Sequence, residues 1–120
     1  MTTLNGITKK FTVFDDVGPV DCYLQIGLVG SDDWERFPHL CIGDICYLNL
    51  TVSKQGDELR VYGVLMDMAR RVISCGGDVH DVAKVLRDNE FPPKGCTGEQ
   101  HIPIAKSICD YIGRYLERRR

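Results

Sequence analysis

The sequence has no apolar run near the roughly 18 residues that a membrane-spanning helix requires, so no membrane insertion is expected. It has no excess of either charge: 15 Lys and Arg stand against 17 Asp and Glu, a formal net charge of −2. So balanced a chain has no general attraction to DNA or RNA. Its six cysteines form no C-x2-C pair, and the closest two, Cys41 and Cys46, have four residues between them. That excludes the usual structural-zinc spacings, and neither a metal nor a cofactor is expected. The N-terminal stretch from Met1 to Lys10 lacks the basic start, apolar core and cleavage site of a secretory signal. The expected compartment is the cytoplasm, where thiols stay reduced. Catalytic signatures are missing as well. There is no G-x-S-x-G elbow, no H-E-x-x-H and no P-loop, and His39, His80 and His101 are far apart. Internal repeats and low-complexity linkers are also absent.

What is present suits one domain. A chain of 120 residues, 43% of them hydrophobic, has the size and composition to bury its own core. Its first half reads as strands. Lys10 to Phe14 alternates, and Val20 to Val29 places Cys22, Leu24, Ile26 and Leu28 on one face. A period of two marks a half-buried strand. A third apolar stretch, His39 to Val52, is interrupted at Gly43-Asp44, and an aromatic–basic cluster of Trp34, Arg36 and Phe37 precedes Pro38.

After the polar connector at 53–57 the period becomes helical. Leu59, Val61, Val64, Leu65, Met68, Ala69, Val72 and Ile73 predict one helix, closed by Gly76-Gly77. Asp78 is the expected cap of a second helix with Val79, Val82, Val85 and Leu86 inward, ending before Phe91-Pro92-Pro93. A third is expected from about Pro103, with Ile104, Ile108, Ile112, Tyr115 and Leu116 on its core side. The expected fold is α+β: three or four antiparallel strands in the N-terminal half, packed by about three C-terminal helices.

Three segments carry a resemblance. Leu65 to Ser74, Asp78 to Leu86 with the proline loop after it, and Ser107-Ile108-Cys109-Asp110-Tyr111-Ile112 together resemble the TSCPD domain over about residues 60 to 117. That small module closes adenosylcobalamin-dependent ribonucleotide reductases and also stands alone. Lys106 stands where the family has Thr, Ile108 separates Ser107 from Cys109, and the family's proline is absent. The resemblance implies an accessory or regulatory role in nucleotide metabolism, docked onto a reductase-type enzyme. In size and layout, strands first and helices last, the chain also resembles the phage Thoeris anti-defence sponges. That likeness implies a small non-enzymatic protein that sequesters a nucleotide-derived signalling ligand, such as a cyclic nucleotide.

The residues offer one anion-binding constellation. Phe91 presents an aromatic face for a base, and Lys94 a cation for phosphate. Gly95 and Gly98 permit close backbone approach beside Thr97 and His101, and the next helix N-terminus favours an anion. Arg114 and Arg118 share one face of the last helix, where guanidinium forks suit phosphate. Each has an ordinary structural alternative: Phe91 as a core plug, the arginines as a solvated helix end. A strand-rich half also has sheet edges to protect, so a homo-oligomer is expected, with Trp34 and Phe37 as candidate contacts.

Overall fold

The structure, a computed structural model, describes residues 5–16, 18–31, 35–53 and 58–118. Strands β1 (Asn5–Asp15) and β2 (Gly18–Leu28) form a long antiparallel hairpin, and β3 (Ile45–Val52) pairs with the far side of β2. Helices α1 (Glu58–Ser74) and α2 (Val79–Leu86) follow, then two short strands, β4 (Gly95–Cys96) and β5 (Ile104–Ala105), and finally α3 (Ile108–Arg118). The sheet order is β3-β2-β1-β4-β5. The layout is α+β, as the periodicities predict, with one difference. Two of the five strands come from the late loop: Cys96 pairs with Phe14, so the C-terminal half extends the sheet past β1.

The alternation in β2 does what it predicts. Val20, Cys22, Leu24 and Ile26 are buried, while Tyr23 and Gln25 are exposed on the other face. Phe11 and Val13 of β1 and Leu48, Leu50 and Val52 of β3 complete the same apolar layer. Gly43-Asp44 is a turn before β3 rather than part of a strand, since Gly43 has φ +93.

The helical faces needed correction. Tyr62, Met66, Ala69 and Ile73 form the buried face of α1, whereas Val61, Val64, Met68 and Val72 are exposed. This helix is apolar on more than one face, so its period admits two stripes. The stripe that packs into the core is the buried one, and beside it the Arg70 guanidinium donates to the Leu48 carbonyl at 2.7 Å and lies 5.3 Å over the Tyr47 ring. In α2 the inward residues are Val82, Ala83 and Leu86, with Val85 outward. Helix α3 starts at Ile108, not near Pro103, because Ile104-Ala105 is spent on pairing with β4. Ile104 is accordingly exposed, while Ile108, Ile112 and Leu116 are buried.

Phe37 is not an edge contact: it is buried in the core, with Arg36 stacked 5.3 Å over its ring. Trp34 lies outside the described residues. Tyr111 of α3 ties helix to sheet. Its ring stacks on Phe11 at 3.9 Å between centroids, and its hydroxyl donates to the Glu99 carboxylate at 2.7 Å. Such a stack adds about 1 kcal/mol beyond the area buried. Burial, then the Glu99 carboxylate, holds this phenol far above its ordinary range, so it stays a neutral donor.

Candidate functional site

The polar centre of the molecule is where the end of α2 meets the start of α3. Helix α2 begins as its sequence predicts. Asp78 accepts from the His80 and Asp81 backbone N–H groups, and Asp81 returns the bond to the Asp78 N–H. That reciprocal box satisfies donors which would otherwise be orphaned. At the other end, Arg87 leaves helical geometry and Asp88 adopts φ +66. A non-glycine residue is uncommon in this left-handed region, though Asp and Asn tolerate it best. Asn89 then donates its side-chain amide to the carbonyls of Val85 and Leu86, closing the helix.

Segment 88–91 runs beside the N-terminus of α3. The Ser107 hydroxyl donates to the Asn89 carbonyl at 2.6 Å and accepts from the Asp110 N–H at 2.9 Å, which makes Ser107 the N-cap of α3. Phe91 donates its N–H to the Lys106 carbonyl at 3.1 Å. Asp110 is wholly buried and ionisable, so its partners decide whether it is tolerable. It accepts from the Asp88 N–H at 2.6 Å, the Lys106 N–H at 3.0 Å and Arg114 Nε at 2.9 Å. One buried carboxylate thus ties the start of α3 to the turn that follows α2.

Above it lies a charged layer. The Asp88 carboxylate, about half exposed, meets Arg87 Nε at 3.0 Å, Arg114 at 2.7 Å and Lys106 Nζ at 3.5 Å. The hydrogen bond from Arg87, with the fields of Arg114 and Lys106, holds the Asp88 carboxyl below the usual carboxylate range. Arg87 also reaches both oxygens of Glu117 at 2.9–3.0 Å. The helices approach closely here because Gly113 faces α2. A Cβ at 113 would stand 2.6 Å from the Arg87 nitrogen and 2.9 Å from the Ala83 carbonyl oxygen.

The residues singled out in the sequence fall into three groups. Phe91 and Arg114 both belong to this junction. Phe91 is 37% exposed as a residue, so it does not plug the core. Arg118 is exposed at the last turn of α3, about 15 Å along the axis from Ile108, and so stands one turn beyond Arg114. Lys94 is exposed and paired with Glu90 at 3.1 Å. Thr97 is buried, and its hydroxyl donates to the Ile102 carbonyl while accepting from the Glu99 N–H. It closes the 97–103 loop on which His101 is exposed. The N-terminus of α3 does not wait for an outside anion, because Asp110 sits in its first turn.

Protein-family models, curated proteins and solved structures yield no match to the chain. Function must therefore be argued from the junction itself. Arg87, Asp88, Lys106 and Glu117 were not legible as site residues. Their signal was partial: Ser107-x-x-Asp110 is a capping pattern, and Asp110 with Arg114 is an i, i+4 pair. Nothing local indicates that Asp88 joins them across 22 to 26 residues of chain.

Two other features are structural. A cleft of about 400 Å3 lies between the 39–45 loop and the α1–α2 turn, lined in part by His39, Asp44, Asp78 and His80. Its acids are engaged: Asp44 accepts from the Cys41 N–H and Asp78 caps α2. His39 Nε2 is 3.0 Å from the Gly77 carbonyl and bridges the loops. Among the described residues, no group of three or more His, Cys, Asp or Glu side chains is arranged to hold a metal ion. None of the described helices is long and apolar enough to cross a membrane.

Proposed function

We propose that this chain is a non-enzymatic, cytoplasmic binding protein that sequesters a nucleotide-derived anion at the α2–α3 junction. One observation carries the reading: an exposed aromatic residue, Phe91, is anchored by its backbone to Lys106, whose side chain meets Arg87 and Arg114 at the Asp88 carboxylate. A base stacked on Phe91 gains roughly 1–3 kcal/mol. Phosphate oxygens then meet the guanidinium forks of Arg87 and Arg114. Arg118, one turn on, serves a second phosphate or ribose, and Lys94 and His101 add donors at the rim. Thr97 acts indirectly by shaping the loop.

Binding rather than catalysis is favoured by how the buried polar side chains are used. Thr97, Ser107 and Asp110 each hold backbone groups in place. None is poised to take a substrate proton.

A panel of linear and cyclic adenine-containing nucleotides, read by thermal shift, tests this function. A ligand at 100 times its Kd adds about 2.7 kcal/mol of stability. Phe91→Ala should weaken the best ligand by roughly 1–3 kcal/mol without unfolding the chain. Arg118→Ala should flatten the salt dependence. Recovery of chemically intact ligand after denaturation separates sequestration from hydrolysis. Unchanged binding by both folded variants would remove the pocket.

The homo-oligomer reading moves to α1. Val61, Val64, Met68 and Val72 are 58%, 59%, 59% and 42% exposed and form one apolar stripe on a 17-residue helix. Its spacing is nearly palindromic. An antiparallel two-fold therefore sets Val61 near the partner's Val72 and Val64 near the partner's Met68. Closed two-fold symmetry is the common way to bury such a self-complementary surface.

A further inference from the structure

The Asp88 carboxylate is the meeting point of three cations from three places in the fold: Arg87 at the end of α2, Lys106 before α3, and Arg114 within α3. We propose that Asp88 is a built-in occupant of a phosphoryl seat, and that a phosphate or diphosphate group binds there by displacing this carboxylate. The inference rests on the reading of the junction as an anion site and adds the residue that sets its affinity.

Three observations carry it. First, both arginines are held without Asp88. Arg114 Nε is fixed by buried Asp110 at 2.9 Å, and Arg87 by both oxygens of Glu117. Removing the Asp88 carboxylate therefore leaves Arg87 Nε and one terminal nitrogen of Arg114 facing one volume, which Lys106 Nζ, 3.5 Å from the same carboxylate, also reaches. Second, the number of cations equals the number of free oxygens on a phosphoryl group. One Asp88 oxygen serves both Arg114 and Lys106 while the other serves Arg87. A phosphoryl group offers three oxygens to three cations. Third, the backbone of Asp88 is held independently of its side chain: its N–H donates to Asp110 at 2.6 Å and its φ is +66. The carboxylate is about half exposed, so it can rotate outward into water without the chain moving.

The charges explain why this residue controls affinity. Arg87, Lys106 and Arg114 are balanced by Asp88, Asp110 and Glu117. An incoming dianion meets a neutral cluster and must expel a competing anion. Replacing Asp88 by a neutral residue turns the cluster net positive and empties the seat.

The test uses Asp88→Asn with inorganic pyrophosphate and ADP, measured by calorimetry at low and physiological salt. Asn suits the left-handed backbone, and Asp88→Gly is a second variant that suits it as well. The expected result is pyrophosphate binding at least tenfold tighter than in the wild type, with steeper salt dependence. Adding Arg114→Gln to either variant should abolish the gain. Folded Asp88→Asn and Asp88→Gly variants that bind pyrophosphate no better than the wild type overturn the proposal. The ADP arm separates this idea from the one it rests on. If both Asp88 variants tighten pyrophosphate and ADP alike, and Phe91→Ala leaves ADP unchanged, the seat stands without the base platform. If Phe91→Ala weakens ADP while the Asp88 variants give no gain, the platform stands and the role of Asp88 falls.

Discussion

Gly113 of α3 faces Arg87 so closely that a Cβ at 113 would stand 2.6 Å from the Arg87 backbone nitrogen. Glycine within a helix costs about 1 kcal/mol relative to alanine. Here it allows α3 to reach the end of α2, and that approach brings Arg114 to Asp88.

Gly113→Ala should therefore destabilise the fold by about 1–3 kcal/mol, because the atoms it meets are backbone and cannot rotate away. Gly63 of α1 is the control. It is exposed, and a Cβ there meets nothing within 4 Å. Gly63→Ala should stabilise by up to about 1 kcal/mol. Urea unfolding of both variants checks the opposite signs.

Asp110→Ala should be the most damaging single polar change at the junction. It leaves the Asp88 and Lys106 N–H groups and Arg114 Nε without their acceptor. Leaving a part-buried donor without its acceptor costs about 1–3 kcal/mol. Chemical denaturation gives the loss, and Asp110→Asn, which keeps one acceptor oxygen, should lose less.

The six thiols should divide evenly. Cys41, Cys75 and Cys96 are exposed, and Cys22, Cys46 and Cys109 are buried. Burial pushes the Cys22 thiol up to about 12, with the Asp21 charge adding to it, and burial pushes Cys109 up to about 11. A thiol reagent at pH 8 should modify three cysteines quickly in the native protein and all six in denaturant. The sign for stability follows from linkage. Both thiols have raised folded pKa values, so their neutral forms favour the fold below the ordinary value of 9.0. That contribution should decline as pH rises from 9.0 toward 11 and 12. Urea midpoints measured from pH 8 upward, compared with Cys22→Ala and Cys109→Ala, check the direction.

Val64→Asp or Met68→Asp should reduce an oligomer to a 13.5 kDa monomer without loss of fold, since both side chains are exposed in the single chain. Light scattering at micromolar concentration reads the outcome. A wild type that is already monomeric there would remove the α1 interface.

The α+β layout was legible because it is written in local periods. Cys22, Leu24 and Ile26 alternate and are buried, and Ile108, Ile112 and Leu116 recur at helical spacing and are buried. Asp78 was legible as a cap because its bonds reach only two and three residues ahead. The inward face of α1 was not, because apolar residues line more than one side and the decision belongs to the core that the distant strands build. Strands β4 and β5 were hidden for a similar reason: two residues each have no period, and β4 exists by pairing with β1 and β5 by pairing with β4. Phe91 and Arg114 could be named from their chemistry, but not the carboxylate between the cations. Asp88 reads locally as a helix terminator. Only the packing of α3 against α2, permitted at Gly113, turns it toward Arg114 and Lys106. Hydrogen bonds and caps that span a few residues are fixed by the sequence itself. Long-range electrostatics depends on which surfaces meet, and the folded packing decided that.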